Sequence, residues 1–175
     1  MYLVDEFGGD ILKIHIIGGS GTGKSYVAEK VSEKFNIPHY DLDNIFWDNT
    51  AEHYGLRMPI EKRTEKLNSI LKKSNWVIEG VYYSWVNDSF SNADYIFILN
   101  SPVIVYRYRI IKRFLKRKLG VEKGKKETLK SLIGLLKWTD NYQENKMPKI
   151  LKFLEPYKEK IILLENSDNI FNYIN

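Results

Sequence analysis

Apolar residues recur along this chain in two alternating periods. Residues 11 to 17, ILKIHII, are β-branched and almost continuously apolar, the pattern of a strand covered on both faces of a parallel sheet. Val27, Ala28, Val31 and Phe35 then recur at helical spacing, which predicts a helix over 24 to 35, and Pro38 disfavours its continuation. HYDLD at 39 to 43 predicts a short second strand. Pro59 suits the first position of a helix that turns Ile60, Leu67, Ile70 and Leu71 inward. WVIEG at 76 to 80 and YIFILN at 95 to 100 are two further strands by β-propensity. From Pro102 a long helix is expected, with Ile104, Tyr108, Ile111, Leu115 and Leu119 on its apolar stripe. KIILLEN at 160 to 166 supplies a last strand, followed by a short helix to Ile174.

Strands alternating with helices imply right-handed crossovers, so the expected fold class is α/β, a parallel sheet with helices on both faces. Ligands of such sheets bind beyond the carboxyl ends of the strands. With 175 residues and no repeat, low-complexity tract or linker, the chain reads as one domain.

Composition narrows the class. Hydrophobic residues make up 43% and charged residues 28%, a globular balance. The absence of cysteine excludes a disulfide framework and thiolate metal sites. The acidic start MYLVDEFGGD does not read as a signal peptide, and YIFILNSPVIVY is too short to span a bilayer. A cytoplasmic protein with no membrane partner is therefore expected. The net charge of +5 suits an anionic ligand.

Between the first strand and the first helix stands GGSGTGKS, with Gly18, Gly23, Lys24 and Ser25 satisfying G-x-x-x-x-G-K-[ST]. An apolar strand before it and an amphipathic helix after it are the context this phosphate-binding loop requires. An ordinary flexible turn is the competing reading. Glycines permit the positive-φ angles that turn successive N–H groups inward toward phosphate oxygens, beside a helix N-terminus. Gly18, Gly19, Ser20, Gly21, Thr22, Gly23, Lys24, Ser25 and Tyr26 form the expected nucleotide-binding set. Lys24 would reach the β- and γ-phosphates of ATP, and the Ser25 hydroxyl would hold Mg²⁺.

The stretches GGSGTGKS, DLDNIFW (41 to 47), WVIEGVY (76 to 82), NADYIFIL (92 to 99) and YRIIKRFL (108 to 115) carry a family resemblance. The chain resembles the small P-loop kinases of the adenylate kinase and shikimate kinase type, and more closely the family called DNA topology modulation protein. That resemblance implies a five-stranded parallel sheet with a helical lid, placed around 107 to 146, and ATP as donor. In the shikimate kinase pattern, an Asp-x-Asp similar to Asp41 and Asp43 places one carboxylate towards the metal and the other towards the acceptor hydroxyl. Asp43 is accordingly the candidate acceptor ligand or general base. Glu79, followed by Gly80, resembles the acid that ends the corresponding strand in adenylate kinases, where it can hold Mg²⁺ through water. Val81 stands where relatives often carry Asn. Solvated strand-end carboxylates are the alternative for all three acids.

Ten Lys or Arg stand against one acid, Glu122, between Arg107 and Lys126. If this segment is helical, Arg109 and Arg113 lie opposite the apolar stripe, and the YRIIKRFL resemblance makes them the arginines that close over ATP. A solvated face is the alternative. GVEKGKKET at 120 to 128 would suit a lid tip. Arg57 and Arg63 flank Pro59 where related kinases bind the acceptor, and an Arg fork suits a carboxylate or phosphate. Tyr82, with Phe46, Trp47, Tyr83 and Trp85, could line an acceptor pocket or pack in the core. His15, His39 and His53 lack metal-ligand spacing.

The expected function is an ATP- and Mg²⁺-dependent kinase for a small-molecule acceptor, with nucleotides among the candidates. Two other classes compete. One is a regulatory nucleotide-binding module, against which the paired Asp41 and Asp43 argue. The other is a nucleic-acid-binding P-loop protein, which no helix-turn-helix, zinc-finger or RNA-recognition signature supports.

Overall fold

The computed structural model describes residues 12–50, 55–121 and 128–174. Five strands, β1 (Lys13–Gly18), β2 (His39–Asp41), β3 (Trp76–Gly80), β4 (Tyr95–Leu99) and β5 (Ile161–Leu164), form one sheet in the order β2-β3-β1-β4-β5, with every pairing parallel. Side chains alternate across a strand, and here both sides are apolar. Ile14, Ile16, Val77, Phe97 and Leu99 pack with Val27, Ala28 and Val31 of α1 (Lys24–Phe35) on one face. Ile17, Trp76, Ile78, Ile96 and Ile98 face the opposite layer. That layer is built from α3 (Ile60–Leu71), α4 (Asn87–Asn92) and α7 (Met147–Phe153). The result is the expected three-layer α/β/α arrangement.

Several boundaries move. The second strand stops at Asp41, because the Asp43 N–H donates to Asp41 Oδ1 at 2.8 Å and opens a helical turn, α2 (Asp43–Phe46). Pro59 caps α3 from just outside it, and Ile60 is exposed rather than inward, while Leu67 and Ile70 are buried as expected.

The largest correction falls on α5 (Val103–Lys118). Its expected inward stripe faces out: Ile104, Tyr108, Ile111, Leu115 and Leu119 are all exposed. Tyr106, Ile110 and Phe114 are the buried set, packed with Leu132 of α6 (Leu129–Asn141). Apolar residues occur on two sides of α5, and contact with α6, which periodicity cannot foresee, selects between them. The reversal places Arg109 and Arg113, each half-buried, next to the buried set rather than opposite it. Asp140 ties α6 to α5: the Tyr106 hydroxyl donates to its Oδ1 at 2.6 Å, and Arg107 donates from Nη2 to Oδ2 at 2.6 Å and from Nε to Oδ1 at 3.2 Å. A π-helical turn, Tyr142–Lys146, carries α6 into α7. Of the expected lid tip, residues 122 to 127 lie outside the described residues, as does His53.

Candidate active site

Strand register brings the chemistry together. Asp41 pairs with Glu79 across β2 and β3, Gly80 with Ile17 across β3 and β1, and Gly18 with Leu99 across β1 and β4. The carboxylates and the glycine loop therefore emerge side by side at the carboxyl end of the sheet.

The loop is shaped by backbone. Gly21 (φ 77) and Gly23 (φ 99) hold left-handed angles that side-chain-bearing residues rarely adopt. A Cβ on Gly21 would lie 2.7 Å from the Tyr106 carbonyl oxygen, so α5 sits directly on the loop. Thr22 Oγ1 donates to the Gly19 carbonyl at 2.9 Å and fixes the turn from within. Arg109 Nη1 donates to the Thr22 carbonyl at 3.0 Å. A buried ring, Tyr142, lies against Gly19, where an added Cβ would meet it at 3.2 Å.

Lys24 opens α1 and is buried, its Nζ donating to the Gly19 carbonyl at 2.9 Å. Burial lowers its proton affinity below the ordinary lysine value; Glu79, Asp43 and Asp41 oppose that shift, and Arg113 adds to it. Ser25 Oγ donates to Glu79 Oε1 at 2.6 Å. Asp41 is pushed up to about 6, first by desolvation and then by the neighbouring Glu79 charge.

Among the described residues no group of three or more His, Cys, Asp or Glu could hold a metal. Magnesium does not need one, since it is held by one or two carboxylates with phosphate oxygens and water. The residues present fit it: Ser25, Glu79 and Asp41 offer hard oxygen donors, and the two neighbouring carboxylates repel each other in a way that a divalent cation would relieve.

On the other side of the cavity, the Tyr82 hydroxyl donates to Asp43 Oδ1 at 2.7 Å. Trp47 also lines the cavity, its ring edge-on to Phe46 with centroids 4.8 Å apart. Desolvation, followed by the Asp43 hydrogen bond, raises the phenol's proton affinity and keeps it a donor. Tyr82 in turn stacks on Phe46, with ring centroids 4.5 Å apart.

One cavity of about 510 Å³ joins these parts, within the usual range for small-molecule sites. Of the residues singled out in the sequence, Ser20, Gly21, Gly23, Lys24, Ser25, Tyr26, Asp41, Asp43, Trp47, Glu79, Tyr82, Arg109 and Arg113 line it. Gly18, Gly19 and Thr22 lie outside its lining, and so do Arg57 and Arg63. These two arginines lie over the Phe46 ring, at 5.6 Å and 4.8 Å, and Arg63 also lies 5.3 Å over Trp85. Leu135 and Trp138 of α6 complete the wall. Both lie in a helix that no motif marks, and the amphipathic spacing of LKSLIGLLKW is its only signal in the sequence.

No family model matches the chain. The uncharacterized protein YqaC of Bacillus subtilis (strain 168) is 27% identical over 105 residues, which cover 59% of this chain and 57% of that protein. The match thus spans little more than half of the curated relative. A gluconokinase from Sinorhizobium meliloti 1021 superposes with a TM-score of 0.50 at 17% identity, covering 88% of this chain and 82% of that one. A shikimate kinase from Bacteroides thetaiotaomicron gives 0.50 at 17% identity, over 90% and 87%. An uncharacterized protein from Eubacterium ventriosum ATCC 27560 gives 0.57 at 15% identity, over 93% and 95%. Identities this low speak to fold alone, and this chain shares the fold of the gluconokinase and the shikimate kinase.

Proposed function

We propose that this chain is a phosphotransferase that moves the γ-phosphoryl group of ATP to the hydroxyl of a small molecule. The observation that carries this reading is one cavity lined both by the phosphate loop and by a hydrogen-bonded carboxylate, Asp43. A nucleotide sensor has no need of the second. Membership of the DNA topology modulation family rests on the sequence stretches alone, and the proposal does not depend on it.

In this reading the N–H groups of residues 19 to 25 cradle the triphosphate, and Lys24 turns from the Gly19 carbonyl to the phosphates. Arg109 and Arg113 neutralise charge spread over the transferring group. Asp43, held by Tyr82, orients the acceptor hydroxyl and takes its proton. Mg²⁺ bound near Ser25, Asp41 and Glu79 would supply charge neutralisation between the phosphates. The ties through Asp140 make α5 and α6 one piece, suited to move together as the lid. No helix among the described residues is long and apolar enough to cross a membrane.

Lys24→Ala tests the donor end. We expect affinity for Mg²⁺ and ATP, measured by calorimetry, to fall by about 100-fold or more, equivalent to roughly 2.7 kcal/mol. An unchanged affinity would contradict the phosphate-loop assignment.

A further inference from the structure

α5 turns an apolar stripe towards solvent. Ile104, Tyr108, Ile111, Leu115 and Leu119 follow one another at helical spacing and are between 40% and 79% exposed. At about 1.5 Å per residue the stripe runs for roughly 22 Å, and an exposed apolar patch rimmed by polar residues marks an interaction site. The rim here is basic. At about 100° per residue, Lys112 and Lys116 fall along one border of the stripe, and Arg107 and Lys118 along the other. All four are exposed. Arg107 is held by Asp140, while Lys112 stays at the stripe, its Nζ 5.6 Å from the Tyr108 ring centroid. No acid occurs in Val103–Lys118. We propose that this face of α5 docks on an anionic lipid surface, with the stripe in the headgroup layer and the lysines on the lipid charges.

The chemistry of the face favours lipid over other partners. A second copy of the chain, meeting it across a two-fold axis, would bring the same lysines together, and like-charge juxtapositions cost several kcal/mol. Nucleic acid would neutralise the cations and leave five apolar side chains in water. A helix face is a ridge, so a protein partner would need a groove with acids on both rims. An anionic bilayer meets every demand at once. The stripe inserts as the apolar face of an in-plane amphipathic helix, and the lysine stems run along it and lift their ammonium groups to the headgroups. Each such lysine contributes about 1 kcal/mol near an anionic surface. No spanning helix is needed for this contact, so the expectation of no membrane partner, which came from segment length, does not bear on it. The inner face of α5 keeps its contacts: Tyr106, Ile110 and Phe114 stay on Leu132, and Arg109 stays on the Thr22 carbonyl. Docking is therefore independent of the phosphotransferase reading.

The test is sedimentation of the full chain with sucrose-loaded vesicles of phosphatidylcholine alone, or of phosphatidylcholine with about 30% phosphatidylserine. Partitioning onto the anionic vesicles should be about tenfold or more stronger than onto the neutral ones, and should weaken as salt rises from roughly 0.1 M to 1 M. Ile104→Ser with Leu115→Ser, and separately Lys112→Glu with Lys116→Glu, should each lower it about tenfold or more. All four positions are exposed, so both variants should keep a thermal midpoint within about 4 °C of the parent. Leu119→Ser, at the helix end, repeats the apolar test where folding is least at stake and should cost about threefold. Absence of vesicle binding overturns the inference, as does equal binding to the two compositions. Loss in the lysine variant with no change in either serine variant also overturns it, because a merely cationic surface behaves that way. A lipid-free dimer that the double serine variant abolishes, together with no vesicle binding, would assign the face to a second copy instead.

Discussion

The two ends of the cavity are built by different means. At the donor end the backbone does the recognising: Gly21 and Gly23 take angles closed to most residues, and the loop is clasped by Thr22, Arg109 and the overlying Tyr106 carbonyl. At the acceptor end side chains act: Tyr82 stacks on Phe46 and holds Asp43, which is itself exposed. A backbone cradle fits any triphosphate and is written in consecutive residues. A side-chain wall can be changed one residue at a time, so acceptor identity can diverge while the donor end and the fold persist.

Substitutions at each end should therefore separate donor binding from acceptor binding. Gly21→Ala places a methyl group 2.7 Å from the Tyr106 carbonyl oxygen at a φ of 77°, a strain of about 1–3 kcal/mol. Donor affinity should fall about 10- to 100-fold, with the KM for the acceptor within about twofold of the parent. Equal losses at both ends would erase the distinction. Tyr82→Phe removes the hydrogen bond to Asp43 and should lower kcat about tenfold without moving donor affinity, as expected for a group that positions a carboxylate.

A third effect concerns the sheet that both ends share. His15 is fully buried on β1, with Nδ1 2.7 Å from Ser89 Oγ, and desolvation lowers its pKa to about 3. The unfolded chain, with an ordinary histidine pKa of about 6.5, binds this proton more readily than the folded chain does. Stability is thus complete above that value and declines as pH falls towards 3, by at most about 1.4 kcal/mol per pH unit. His15→Asn should flatten this part of the thermal-midpoint profile, and both ends of the cavity should lose binding together as the parent unfolds. An unchanged profile would mean that another group governs acid lability.

How much of this was legible in the sequence follows the same division. The glycine loop, α1 and β3 stand where their residues place them, because continuous patterns specify local structure. β4 ends one residue early, at Leu99. On α5 the sequence offers two apolar faces, and only packing against α6 determines which is buried. Asp43 and Tyr82 were readable as candidates one at a time, but their bond spans 39 positions. Trp138 reaches the cavity from a helix whose place in the fold no motif announces. Arg57 and Arg63 suggest acceptor ligands in the sequence because arginine suits anions, whereas in the structure their guanidinium groups cover aromatic rings.

Asp43→Asn tests the central claim most directly, with donor affinity and single-turnover transfer from ATP measured on the same preparation. Loss of a general base lowers rate about 10²- to 10⁴-fold. The account predicts a fall in transfer of that order while affinity for Mg²⁺ and ATP stays within about twofold. Full transfer in the variant would contradict it.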